Sequence, residues 1–142
     1  VLWSDRRHAF PLIARHAERY YLDGLALVGD AAHTIHPLAG QGVNLGFLDA
    51  AVLAEEISHG VARGLLPGHR QILNKYSRRR RSHNALMMHS MTALERIYAA
   101  SMPALIQGRN EGVRLVNATG WLKAFFEQQA MGLTGDLPAL AV

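Results

Sequence analysis

Leu25-Ala26-Leu27-Val28-Gly29-Asp30-Ala31-Ala32-His33 runs through Thr34-Ile35-His36 into Pro37-Leu38-Ala39-Gly40-Gln41-Gly42-Val43-Asn44, and then on to Asp49-Ala50. Four consecutive apolar residues, Leu25 to Val28, read as a short, fully buried strand. The stretch from Gly29 to Gly46 sets four glycines and a proline among small residues, which predicts a loop. From about Val43 the apolar positions Leu45, Leu48, Ala51, Val52, Leu53 and Ile57 recur at helical spacing as far as Arg63. The order is therefore strand, glycine-rich loop, helix. An aspartate at the carboxyl end of such a strand is placed to accept hydrogen bonds from ligand hydroxyls, because ligands of open α/β sheets lie outside that end. Gly40 and Gly42 let the backbone approach a flat ligand closely. The first N–H groups of the following helix lack intrahelical partners and favour negative charge in front of them.

Upstream, Asp23-Gly24 is a turn signal. Ala9-Phe10-Pro11-Leu12-Ile13 offers short strand-edge material, with Pro11 arguing against a central strand. Downstream, Gly60 and Gly64 are candidate helix stops. His69 to Ala100 contains no internal Gly or Pro and reads as one long helix, with Ile72, Leu73, Tyr76, Leu86, Met87, Leu94 and Ile97 available for a buried stripe. Pro103 opens another helix through about Val116, and Trp121 to Met131 a last one, before an irregular tail. One buried strand cannot form a sheet, since its backbone groups need neighbours. The missing strands are expected from another part of the polypeptide, and the start at Val1 without Met suits a piece of a longer protein.

The chain has 142 residues, 49% of them hydrophobic and 18% charged, which is enough apolar material for an ordered core. It has no cysteine, which excludes disulfides, thiolate metal sites and cysteine nucleophiles. No apolar run approaches the roughly 18–20 residues of a membrane span, and the first residues do not form a signal peptide. The net charge of +4 owes part of its value to Arg78-Arg79-Arg80-Arg81. Four successive helical residues point all round the helix, so this run reads as a solvated, salt-bridged face. Contact with anionic lipid is the alternative. Nucleic acid is not expected as a partner, because no binding fold or interleaved aromatics accompany the run.

The string Gly29-Asp30-Ala31-Ala32-His33, then Pro37, then Gly40, Gly42 and Asn44, resembles the second flavin-contacting motif of the FAD-dependent aromatic hydroxylases, the group that includes para-hydroxybenzoate hydroxylase. Within that group it is most similar to the ubiquinone-biosynthesis hydroxylases of polyprenylated phenols, a likeness carried also by Gln129-Ala130-Met131-Gly132-Leu133 and Asp136-Leu137-Pro138. The resemblance implies an α/β fragment: the carboxyl-terminal part of an FAD-binding domain followed by a helical segment. Residues 1–24 would close the substrate-domain sheet and return to the FAD domain, 25–100 would belong to that domain, and 101–142 would be the helical segment. It implies FAD as cofactor, NAD(P)H as reductant, and O2 with a polyprenylated phenol as substrates. Gly29, Asp30, Pro37, Gly40, Gly42, Val43 and Asn44 would contact the cofactor. Asp30 would hold the ribityl chain, Pro37 would lie beside the reactive face of the ring, and the amides of Gly42, Val43 and Asn44 would face the pole where negative charge collects on reduction. The family's Gly-x-Gly-x-x-Gly pyrophosphate turn is not in this sequence, so the remainder of the site would come from an amino-terminal part of the same protein. A homo-oligomer, a biosynthetic complex and peripheral contact with the inner membrane, from the cytoplasm, complete the expectation.

No side chain is assigned a catalytic role, since this chemistry needs neither a nucleophile nor a protein-bound metal. His33 and His36 lack a third ligand nearby for metal binding; His33 reads as a loop-fixing residue, and His36 as a candidate to face substrate. Gln41 is either a flavin neighbour or a loop-ordering residue. Asp49 reads as capping or packing in the helix region, with flavin contact as the alternative. Met102, Leu105, Ile106, Trp121, Phe125 and Phe126 suggest core or subunit interface, and Met87, Met88 and Met91 adaptable filler. Two other functions share parts of this pattern: hydroxylation of a small soluble aromatic, and a helical interaction module without chemistry.

Overall fold

The computed structural model describes residues 3, 5–6, 8–9, 13–35, 40, 42–130 and 136–139, with backbone only at 129 and 130. Four two-residue strands come first: β1 (Arg15–His16), β2 (Tyr21–Leu22), β3 (Leu25–Ala26) and β4 (His33–Thr34). Four helices follow: α1 (Gly42–Val61), α2 (Arg70–Ala99), α3 (Pro103–Ala118) and α4 (Gly120–Ala130). β2 and β3 form a hairpin, Tyr21 opposite Ala26 and Leu22 opposite Leu25. Asp23-Gly24 makes its turn, where Gly24 takes a φ of 77°. β1 pairs antiparallel with β4, Arg15 opposite Thr34 and His16 opposite His33. Ala17 N–H donates to Ala32 O at 2.8 Å and Leu27 N–H to Tyr20 O at 2.8 Å, extending both pairings.

Leu25 to Val28 is not the buried strand that its apolar run suggests. Leu25 is 53% and Val28 38% exposed, and only Leu25–Ala26 is strand. Among the described residues β3 has β2 as its one partner, and no further layer covers Leu25 and Val28. Of the upstream stretch, Ala9 and Ile13 lie outside any strand, Phe10, Pro11 and Leu12 lie outside the described residues, and among the described residues pairing begins at Arg15.

The helices fall where hydrophobic period and punctuation put them. α1 buries Leu45, Asp49, Val52, Glu56 and Gly60, one stripe at helical spacing. α2 answers with Ile72, Leu73, Tyr76, Arg80 and Asn84. His69 caps α2, its Nδ1 accepting from Gln71 N–H at 3.2 Å. Pro103 occupies the first turn of α3. Gly60 does not stop α1; it lies within the helix against Ile72, whose Cδ1 would stand 2.1 Å from an added Cβ. The second half of α2 departs from its expected stripe, with Leu86, Leu94 and Ile97 exposed. Met87, Met88 and Met91 are half-buried. On α3 and α4, Leu105, Trp121, Phe125 and Phe126 are exposed, as is Met102 just ahead of α3, so they form no core among the described residues.

The core sits where the strands meet α1 and α2: Tyr20, Ala32, Val52 and Tyr76, backed by Ala17, Ala26, Leu27 and Leu53. Tyr76 O–H donates to Leu27 O at 2.6 Å and ties α2 to the hairpin. The hairpin turn also meets the α1–α2 loop backbone to backbone: Gly24 N–H points at Gly68 O, 3.4 Å away, and a Cβ on Gly68 would stand 3.1 Å from Gly24 Cα. At the other end, residues 136–139 lie across α1 and α2. Arg79 clasps Asp136 with Nε and Nη2 at 2.6 and 2.7 Å, while Ala139 N–H donates to Glu55 Oε2 at 3.0 Å. No helix among the described residues is long and apolar enough to cross a membrane.

Candidate functional site

Gly29–Ala31 form a 3₁₀ turn separated from β3 by Leu27 and Val28, so Asp30 stands beyond the strand's carboxyl end rather than at it. Gly29 is a glycine for its φ of 55°, in the left-handed region. Its backbone rests against α1, where a Cβ on Gly46 would stand 3.3 Å from Gly29 Cα. The turn is thus seated against the opening turns of α1, with Asp30 exposed above it. Gly40 also takes a left-handed φ, 62°, and nothing lies within 4 Å of an added Cβ at Gly40 or Gly42. Val43 and Asn44 are exposed, and the first turn of α1 carries no acidic residue. Gly29, Asp30, Gly42, Val43 and Asn44 are therefore brought to one end of α1. Pro37 lies outside the described residues, as do His36 and Gln41.

This arrangement fits the pyrimidine end and ribityl chain of a flavin. It offers an exposed carboxylate to accept from hydroxyls, two glycines whose added Cβ would meet nothing within 4 Å among the described residues, and a helix amino terminus whose dipole favours developing negative charge. No cationic side chain is needed.

Beneath the turn lies a polar network that the sequence does not advertise. Asp49 is wholly buried, and both its oxygens are doubly bonded. Oδ2 accepts from Gly29 N–H at 3.0 Å and meets His33 Nε2 at 2.6 Å. Oδ1 accepts from Arg80 Nε at 2.7 Å and Asn84 Nδ2 at 2.9 Å. Arg80 Nη2 donates to Asn84 Oδ1 at 2.9 Å. Asn84 also reaches Tyr20 Oη at 3.3 Å, and Tyr20 Oη meets His16 Nε2 at 2.9 Å. Burial alone would favour the neutral acid, but hydrogen bonds from His33, Arg80 and Asn84 outweigh it and hold the Asp49 carboxyl below its ordinary range. Burial pushes the Tyr20 hydroxyl up to about 12.

Two residues depart from their sequence reading. Arg80 is 1% exposed and pairs with Asp49, so it is no part of a solvated face. Arg79 is also mostly covered, bound to Glu55, Glu56 and Asp136. Only Arg78 and Arg81 of the run are exposed. Asp49 packs within the helix region, one of the two roles its sequence reading gives it, and there it is the junction between turn and helices. His33 does fix the loop by hydrogen bonding, through Asp49. A period count could have found the junction, since Asp49 and Glu56 fall on the apolar stripe of α1, and Arg80 and Asn84 follow Tyr76 at steps of four.

A family model described as an FAD binding domain matches residues 2–90. The 3-demethoxyubiquinol 3-hydroxylase of Escherichia coli is 42% identical over 125 residues, 88% of this chain and 32% of that protein. The mitochondrial ubiquinone biosynthesis monooxygenase of Drosophila melanogaster is 41% identical over 126 residues, 89% of this chain and 26% of that protein. The ubiquinone hydroxylase UbiL of Rhodospirillum rubrum is 41% identical over 126 residues, 89% of this chain and 29% of that protein. The chain thus spans about a quarter to a third of the length of these relatives.

Proposed function

This chain belongs to the FAD-binding-domain family, and we propose that it supplies the isoalloxazine and ribityl half of the cofactor site in a monooxygenase that hydroxylates a polyprenylated phenol during ubiquinone biosynthesis. The observation that carries the reading is the amino end of α1, free of acidic residues in its first turn, beside an exposed Asp30, in a chain 41–42% identical to three proteins named for ubiquinone biosynthesis or hydroxylation. FAD, reduced by NAD(P)H, supplies the activation of O2 that ring hydroxylation needs.

The chain's own residues bind and orient. Asp30 accepts hydrogen bonds from ribityl hydroxyls, and the amides of Gly42, Val43 and Asn44 face the pyrimidine pole and stabilise charge there through the helix terminus. Gly29 and Gly40 keep the backbone close to the ligand, and Pro37 flanks the ring on the substrate side. The pyrophosphate-binding turn comes from the amino-terminal part of the same protein. Because the substrate is itself a membrane lipid, the enzyme works against the membrane surface.

The test is a visible absorption spectrum of the purified polypeptide that contains this chain, beside its Asp30→Ala variant. Flavin bands in the first, lost or much weakened in the second, support the assignment. A protein that stays colourless after incubation with FAD refutes it. Turnover of prenylated and unprenylated phenols then separates a lipid substrate from a small soluble aromatic.

A further inference from the structure

Asp49 joins two parts of the molecule through two different oxygens. Oδ2 holds the Gly29 amide and His33 Nε2, that is, the turn that presents Asp30 and the strand after it. Oδ1 holds Arg80 and Asn84, both on α2 and both buried. A carboxylate has about four acceptor positions, and here each is filled by a donor. It can only accept, so the proton of the His33 contact resides on Nε2. The turn itself has little other means of support: it is three residues long, opens on a left-handed glycine, and its one internal hydrogen bond runs from Ala32 N–H to Gly29 O at 2.8 Å.

Resting on the flavin assignment above, we propose that Asp49 is a positioning residue for the cofactor, and that Arg80 and Asn84 act through it to set where Asp30 and the α1 terminus meet the flavin. None of the three touches the ligand. The carboxylate fixes the Gly29 amide, Gly29 fixes Asp30, and α2 fixes the carboxylate. The geometry also makes one substitution decisive. In Asp49→Asn, one oxygen becomes an NH2 donor, and whichever way the amide turns, that donor faces either the Gly29 amide or the Arg80 guanidinium, neither of which can accept. Either the turn or α2 is released, at nearly unchanged side-chain volume.

The experiment is an FAD titration of the apo form of the polypeptide containing this chain, followed by quenching of flavin fluorescence, with Kd and stoichiometry read separately. Asp49→Asn is expected to raise the Kd for FAD about tenfold to a hundredfold, as the loss of charge-assisted hydrogen bonds at one oxygen warrants. The visible circular dichroism of the flavin that still binds should change as well. Asn84→Ala, which removes a single donor to Oδ1, should raise Kd by a smaller factor, and it carries the test if Asp49→Asn does not fold. A merely structural Asp49 would leave fewer competent molecules, each binding with the parent's Kd and the parent's dichroism; that result overturns the proposal. A parent that binds no FAD, or an Asp30→Ala variant that binds as the parent does, overturns the flavin assignment and this proposal together. Loss of affinity in Asp30→Ala with unchanged Kd in Asp49→Asn and Asn84→Ala overturns the positioning role alone.

Discussion

Gly60→Ala is the substitution whose outcome the geometry fixes most tightly, because its sign depends on one neighbour. A Cβ at residue 60 would stand 2.1 Å from Ile72 Cδ1 and 2.4 Å from Cγ1, where apolar carbons rest about 3.5–4.0 Å apart. More than about 1 Å must therefore be found between α1 and α2. Ile72 is only 2% exposed, so its side chain cannot give way by turning out into solvent. Overpacking of this kind costs about 1–3 kcal/mol, against a gain of up to about 1 kcal/mol for alanine over glycine in a helix. The net expectation is a loss of about 1–2 kcal/mol. Ile72→Ala alone should cost about 2–5 kcal/mol through the cavity it leaves. In that background only Cβ of residue 72 remains near the new methyl, at 3.8 Å, an ordinary contact. There Gly60→Ala should stabilise, by up to about 1 kcal/mol. Equilibrium urea unfolding of the four proteins, followed by far-ultraviolet circular dichroism, closes the cycle. Effects that add within about 0.5 kcal/mol would show that Ile72 is not what excludes a side chain at residue 60.

Tyr76→Phe should cost about 1–2 kcal/mol by stranding the Leu27 carbonyl it serves, measurable in the same unfolding assay. Gly46→Ala places a methyl 3.3 Å from the Gly29 backbone, which cannot yield as a flexible side chain does; FAD affinity should fall about three- to tenfold, with stability changed by less than about 1 kcal/mol. The 136–139 segment should detach in acid. The Arg79 guanidinium holds the Asp136 carboxyl below its usual range, and the Ala139 amide does the same for Glu55. Groups so depressed stabilise the attached segment fully above their free values, near pH 4, and lose that contribution as pH falls through the lower bound-state values. Limited proteolysis of the carboxyl-terminal segment should therefore be slow at pH 6 and fast near pH 3 with an acid-active protease, and Asp136→Asn should be cut readily at both.

Much of this was legible from period and punctuation. All four helices begin and end within a few residues of their sequence signals, because Gly64 and Pro103 act locally and the apolar spacing of α1 needs no partner to be read. The strands were less legible. Leu25 to Val28 has the composition of a buried strand, but burial depends on neighbours, and composition carries no information on which neighbours are present. The buried junction was least legible of all. Arg80 sits in a run of four arginines that invites a surface reading, and nothing adjacent to it in sequence names Asp49, 31 positions away, as its partner. Its only trace is phase: charged residues at positions where the helical period demands apolar ones. Asp30, Gly42, Val43 and Asn44 were found through the family motif, whose glycines and helix start the structure assembles at one end of α1.

The backbone contact between Gly24 and Gly68 bears on how the protein can be re-engineered. Both turns look like free surface loops, small, glycine-containing and far apart in the chain, and both would ordinarily be chosen to receive a tag or a grafted peptide. They are instead two halves of one seam, where a methyl on Gly68 would crowd the Gly24 backbone at 3.1 Å. Lengthening either one would pry the hairpin from the helix pair, so neither turn is a place for a fusion.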